Sequence, residues 1–218
     1  AQFEGELLPR FLARQRWFAG AEAGRAPLPA VPAPVHMADH AVFAHGGHEW
    51  LLCLLDGGDA AAAAAPARWF APFALAWEDG EEERQRQLAP AALAKVRMQA
   101  QVGVMADAFA DEAFCRAVVQ AIGAGSTLRS GHGVLHFQPT AAFAALAGRE
   151  PEALSPLRPL PQSRGTVLAL DERLLLKVPR RVRPGPSIEL EMGRFLTDVA
   201  RFEHSVPMAG SVEHVAAD

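Results

Sequence analysis

The chain contains no tyrosine, two cysteines, and two lysines among 21 basic residues. Cys53 and Cys115 each sit inside an apolar run. That excludes a disulfide framework and reads as buried thiols of a reducing compartment. The lysines are Lys95 and Lys177, every other basic residue is arginine, and Ala-rich tracts recur, a composition that has drifted toward Arg and Ala. A lysine kept in an apolar strand under such drift calls for a chemical reason. No apolar run approaches the ~20 residues that span a bilayer. A net charge of −4 and a pI near 6.1 argue against electrostatic binding of nucleic acid or of an anionic membrane. The start, Ala-Gln-Phe-Glu-Gly-Glu, lacks both an initiator Met and the basic and apolar regions of a signal peptide. A piece cut from a longer, cytoplasmic chain is therefore expected. Serine is scarce, no Ser-His-Asp or Cys-His pairing is legible, and no period of 20–50 residues recurs.

What is present is a chain of 218 residues, half of them hydrophobic and 21% charged. That is enough for a packed core in one large domain or two small ones. Residues 6–19 set Leu7, Leu8, Phe11, Leu12, Trp17 and Phe18 at helical spacing among Arg10, Arg14 and Arg16. The pattern predicts an amphipathic helix with Pro9 in its first turn and an end near Gly20. Residues 21–34 hold four prolines and read as a loop. Runs at 42–44 and 50–55 flank His45-Gly46-Gly47-His48, a hairpin signal. Residues 60–65 are low in complexity and carry no function, and 70–77 is a further apolar stretch. The most polar run, 78–86, marks a boundary or a solvated hairpin tip. A helix is expected over 107–122 with Asp107 as its N-cap and Gly123 as its stop. A short strand at 135–137, a helix at 140–147 and a Pro-rich loop at 148–165 follow.

The last quarter carries the chemistry. Two strands, 166–170 and 174–178, are joined by Asp171-Glu172-Arg173, then a Pro184-Gly185-Pro186 turn leads to a helix over 188–200 capped by Ser187. A final strand is expected around 211–215. Leu174-Leu175-Leu176-Lys177-Val178 is apolar enough to suggest burial on both faces. An unpaired buried ammonium would cost several kcal/mol, so Lys177 must reach solvent or find a carboxylate. On the helix, Ile188, Met192, Phe195, Leu196 and Val199 form an apolar stripe with Glu191 on it and Glu189 facing away. An inward strand Lys followed by an inward helix Glu is how protein kinases hold nucleotide phosphates. Gln162-Ser163-Arg164-Gly165-Thr166 is a small polar turn whose backbone N–H groups could cradle phosphate. Plain structure accounts for the same residues: Lys177 reaching solvent off a strand end, Glu191 paired with Arg194, and the turn only a turn.

Gln162-Ser163, the run from Asp171 to Lys177, Arg180-Arg181, Pro184-Gly185-Pro186, the run from Glu189 to Leu196, and Val206-Pro207-Met208-Ala209-Gly210 together resemble the bacterial maltokinases. These are a branch of the aminoglycoside-phosphotransferase-like kinases. The run from Leu8 to Gly20 looks like the cap that opens those kinases, alone or fused behind a trehalose synthase. Leu75-Ala76-Trp77 and residues 107–116 are similar too. The resemblance implies an enzyme that uses ATP and Mg²⁺ to phosphorylate maltose to maltose 1-phosphate. It implies that Lys177 holds the nucleotide phosphates, that Glu191 orients Lys177, and that 162–166 is the phosphate loop. The sequence departs from the family in places. Arg164-Gly165 stands where the family loop reads Asn-Thr, one extra residue precedes Lys177, and Val178-Pro179 follows it. Ala21-Glu22-Ala23 follows Gly20 without the expected basic residue. No His-Gly-Asp-like or Asp-Phe-Glu-like segment supplies a catalytic Asp or Mg²⁺ ligands.

The expected fold is α+β: a cap of helix plus antiparallel sheet (1–86), then a kinase-type N-lobe of antiparallel sheet with a helix (87–218), without a C-lobe. The expected function is the amino-terminal portion of a maltokinase, inactive alone, with maltose, ATP, its own C-lobe and a fused or associated trehalose synthase as partners. The rival is a non-catalytic interaction or regulatory module fused to a trehalose synthase, and a related sugar or antibiotic kinase is a third reading. His36, His40, His45 and His48 fall close together but straddle the hairpin turn without a convincing carboxylate set, so no metal site is expected. Trp17, Trp50, Trp69 and Trp77 suit core packing better than sugar stacking.

Overall fold

The computed structural model describes residues 2–19, 35–57, 67–148, 150–155 and 165–217. The loop at 21–34, the Ala-rich tract at 60–65, and Gln162, Ser163 and Arg164 lie outside them.

The fold is α+β with antiparallel sheets. β1 (Val35–His45) and β2 (His48–Gly57) form the expected hairpin. Gly46 and Gly47 at φ +57° and +81° supply the two left-handed residues that a tight two-residue turn requires. β3 (Ala67–Trp77) pairs with β2, and β5 (Gln101–Asp107) pairs with both β3 and β4 (Ala92–Met98). The order is β1-β2-β3-β5-β4. The polar run at 78–86 becomes a turn and the start of α3 (Glu82–Leu88), and the same sheet continues on both sides of it. A sixth strand, β10 (Arg181–Val182), returns late in the chain to pair with β3 at Trp69 and Arg68. β10 and β5 therefore share one edge of β3. Pro72 falls in the gap between them, on the parity of Phe70, whose N–H donates to Arg180 on that edge. A residue without an N–H is tolerated there.

Both faces of this sheet are covered, which is why its strands read as continuous apolar runs. Cys53, Leu55, Trp69, Ala71 and Phe73 pack against Leu8, Phe11, Leu12 and Trp17. Trp50, Leu52, Ala74 and Ala76 pack, on the other face, with Phe109, Phe114, Cys115 and Phe137. The first of these layers is not the single helix expected. After a π-turn, Phe3–Leu7, α1 (Leu8–Ala13) closes in tight i→i−3 bonds at Arg14 and Gln15, and α2 (Arg16–Ala19) starts anew. In an unbroken helix Trp17 would stand about 140° round from Leu12. The break lets both be buried.

The second layer is built on α4 (Glu112–Gly123), with α5 (Phe143–Ala147) beside it. Two aspartates share the capping that the sequence assigned to one. Asp107 accepts from the Phe109 N–H and caps a 3-10 turn, Ala108–Ala110, whereas Asp111 accepts from the Ala113 N–H and starts α4. An Asp four residues into the run competes for the cap and resets the helix there. Asp111, 1% exposed, also accepts from Trp50 Nε1 at 2.8 Å and from Arg84 Nε at 3.0 Å and Nη2 at 2.8 Å. Beside α4 lies a second sheet of β6 (Thr127–Arg129), β7 (Gly133–Pro139) and β11 (Gly210–Ala216), in the order β11-β7-β6. Asp39 joins the sheets. One oxygen accepts from the His40 and His132 N–H groups, the other from the Ser130 hydroxyl at 2.5 Å and from His214 Nε2 at 2.9 Å. Among the described residues no helix is long and apolar enough to cross a membrane.

Two outcomes follow from this packing. Trp17→Ala is expected to cost ~3–5 kcal/mol in urea unfolding, the range for a buried aromatic truncated to Ala. Burial pushes the Asp39 carboxyl up, but its four donors outweigh burial and hold it below its ordinary value of 3.8. Its contribution to stability is therefore present above about pH 3.8 and lost as pH falls through the lower folded value. Asp39→Asn should be less stable than the parent at pH 7, by a margin that shrinks as urea titrations are repeated toward pH 3.

Candidate functional site

The site is a hairpin and the helix after it. β8 (Thr166–Leu170) and β9 (Leu174–Val178) have the expected bounds and pair in register from Thr166↔Val178 to Leu170↔Leu174. Asp171 and Glu172 at φ +48° and +54° make the turn. Thr166, Leu168 and Leu170 are buried, and Leu170 and Leu174 share a small core with Val119 of α4 and with Leu154. The expectation that β9 is buried on both faces is corrected. This is a two-stranded sheet with one face on the core, so Leu175 and Lys177 stand exposed on the other.

Lys177, 61% exposed at its side chain, pairs its ammonium with Glu189, not with Glu191. Glu189, expected to face away, is the carboxylate that meets the strand. Glu191 is exposed, and its carboxylate has no hydrogen-bond or ion-pair partner among the described residues. The cause is the phase of α6 (Ile188–Arg194) and the π-turn after it, Phe195–Val199. Ser187 caps the helix as expected. Its apolar stripe, however, points outward: Ile188, Met192, Phe195 and Val199 are all exposed, Ile188 at 77%. Polar anchors set this phase. Arg194 bonds Gln138, the Ser211 hydroxyl at 2.6 Å and Glu213 at 2.7 Å. Thr197 accepts from the Met208 N–H, and Asp198 from the Ala141 N–H. The alternative Glu191–Arg194 pair is likewise not formed, because Arg194 is taken by β7 and β11. Leu190, Glu191, Arg194 and Phe195 help line an open groove of about 480 Å³ along this helix.

Of the expected phosphate loop, Gly165 and Thr166 are described. Gly165 lies so close to β9 that a Cβ would collide with the Val178 carbonyl, which accounts for glycine there. Thr166 is 7% exposed and turned inward, its hydroxyl accepting from Arg180 Nε at 2.7 Å.

Arg180 is the residue that reading the sequence missed. It is 2% exposed. Its Nη2 donates to Asp107 at 2.5 Å, and its guanidinium lies 4.8 Å from the Trp17 ring centroid and 4.6 Å from that of Phe109. Burial pulls its pKa down and Asp107 opposes the shift. A signal was available: Leu174, Leu176 and Val178 carry the inward parity of β9, and Arg180 continues it across Pro179.

Two further constellations carry no comparable chemistry. Ser130, His214 and Asp39 converge, a grouping that the sequence hid by spreading it over two strands and a turn. The Ser130 hydroxyl donates to Asp39 at 2.5 Å and also stands 3.2 Å from His214 Nε2, but that nitrogen is engaged with the same Asp39 oxygen at 2.9 Å and is not free to act as a base on the serine. Among the described residues no three His, Cys, Asp or Glu side chains could hold a metal ion. Of the clustered histidines, His45 is bonded to Gln120. Cys53 and Cys115 are buried free thiols, each pushed up to about 12 by burial, which makes them poor nucleophiles.

The two ion pairs of the hairpin should differ sharply when broken. Glu189→Gln, at an exposed pair, is expected to change stability by less than about 1 kcal/mol. Arg180→Met leaves Asp107 buried without its cation and should cost ~3–5 kcal/mol in the same urea titration. No protein-family model matches the chain and no curated protein matches it, so the kinase resemblance rests on the quoted residues alone.

Proposed function

We propose that this chain is the amino-terminal portion of a cytoplasmic maltokinase, which transfers a phosphoryl group from ATP to maltose to give maltose 1-phosphate. The observation that carries the reading is Lys177. Its ammonium stands at the solvent face of a hairpin whose opposite face is fixed in the core, and a carboxylate of the next helix holds it. An exposed ion pair is weak, so a triphosphate can displace Glu189 from Lys177 at little cost. Thr166 opens the strand paired with β9 and Gly165 precedes it, so these two stand at the same end of the hairpin as Lys177. In this reading Lys177 holds the phosphates, and a carboxylate of α6 orients it: Glu189 in this conformation, Glu191 if the helix turns. When bound, Mg²⁺ would neutralise charge on the transferring phosphate. The described residues include no cluster fit to hold it, so its ligands and the catalytic Asp would come from a C-lobe.

One observation favours a second reading. The exposed stripe of Ile188, Met192, Phe195 and Val199 is a surface suited to contact, as a non-catalytic module tethered to a trehalose synthase would need.

The purified 218-residue chain, incubated with ATP, Mg²⁺ and maltose, should form no maltose 1-phosphate above blank. Calorimetry should find ATP binding no tighter than ~1 mM, about −4 kcal/mol. Micromolar binding abolished by Lys177→Ala would mean that these residues form a complete nucleotide site and would overturn that division of labour. In a form carrying a catalytic lobe, Lys177→Ala should act mainly on kcat, because charge on the phosphates rearranges in the transition state.

A further inference from the structure

Four residues from three separate stretches of the chain meet at one side chain. Trp17 comes from α2, Asp107 from the end of β5, Phe109 from the 3-10 turn before α4, and Thr166 from the start of β8. Arg180 fills the space between them, and its carbonyl accepts from the Phe70 N–H of β3 at 2.7 Å. The next residue, Arg181, opens β10 against Trp69. The open end of the β8–β9 hairpin is thus gripped on both strands: on β8 through the Thr166 hydroxyl, on β9 through the backbone that runs from Val178 into Arg180. Lys177 lies three residues before this grip. A guanidinium can meet these demands together. It presents donors in a planar fork, stacks on aromatic faces and keeps its charge when buried, whereas an ammonium is a compact point charge with neither fork nor stacking face.

We infer that Arg180 is a positioning residue that sets where the β8–β9 hairpin, and with it Lys177, stands against the amino-terminal sheet, and that the Trp17 ring is part of its seat. The inference rests on the nucleotide reading only for the use made of Lys177. A disturbance at α2, on the side of the sheet away from α4, is transmitted to the hairpin through the Arg180 fork.

The test uses the 218-residue chain with Leu175→Cys, an exposed position on β9, carrying a trifluoromethyl tag read by fluorine NMR. The buried, high-pKa thiols of Cys53 and Cys115 stay unlabelled. Arg180→Lys and Trp17→Leu are each introduced, with Trp50→Phe as the control. Trp50 is buried in the opposite layer and bonded to Asp111 instead of Arg180. The tag should shift or broaden in both test variants and stay in place in Trp50→Phe, although all three are destabilised. An unmoved tag in folded Arg180→Lys and Trp17→Leu would overturn the inference, as would an equal shift in Trp50→Phe. Should Arg180→Lys fail to fold, Trp17→Leu, which leaves the hairpin sequence intact, decides alone. ATP titration separates the two readings. A tag that answers millimolar ATP in the parent, with a midpoint several-fold higher in Arg180→Lys, supports both. A tag that ignores ATP but moves in the two variants sinks the nucleotide reading and leaves the positioning role standing.

Discussion

A single buried cation holds this molecule's parts in relation. The Arg180 guanidinium has left water entirely, and such a group is tolerated only with a counter-charge and full hydrogen bonding. Asp107 supplies the charge, Thr166 and the backbone supply acceptors, and two aromatic faces close the remaining sides. Each partner belongs to a different element, so the requirement of one side chain fixes the helices before the first sheet, the far end of that sheet and the hairpin at once. Asp107 does double duty: one oxygen caps the turn before α4, the other neutralises Arg180.

The hairpins were legible because their rules are local. Gly46-Gly47 between apolar runs, and Asp171-Glu172-Arg173 between two runs of five, mark turn and strands with no help from elsewhere in the chain. What escaped depends on distant residues. The phase of α6 is dictated by Gln138, Ser211 and Glu213, which lie on strands of the second sheet. A stripe read from the helix alone points to the core only if the core is what the helix meets, and here it meets a polar strand pair. The choice of Glu189 over Glu191 follows from that phase. The break between α1 and α2 likewise answers a distant demand, the burial of Trp17 beside Arg180. The Asp107 cap was half legible: the residue was right, and a second Asp nearby moved the helix start.

Lys177 and Arg180 are three residues apart and have opposite circumstances. Lys177 is held by one exposed carboxylate and can exchange it for another anion with little change in free energy. Arg180 is held from every side and can exchange nothing. A surface that must move or bind is served by the first arrangement, and its foundation by the second.

The reach of that foundation along the chain has a consequence for the newly made protein. Asp107 and Arg180 are 73 residues apart, and Trp17 is far more distant still. At roughly 5–20 residues per second of synthesis, the first sheet emerges seconds before the cation that neutralises Asp107 and covers the indole of Trp17. During that interval β3 lacks the strand that pairs with Trp69 and Arg68, the Phe70 N–H lacks its acceptor, and Asp107 lacks its cation. Closure at this edge of the sheet is therefore a long-range event that requires residue 180 to be clear of the exit tunnel.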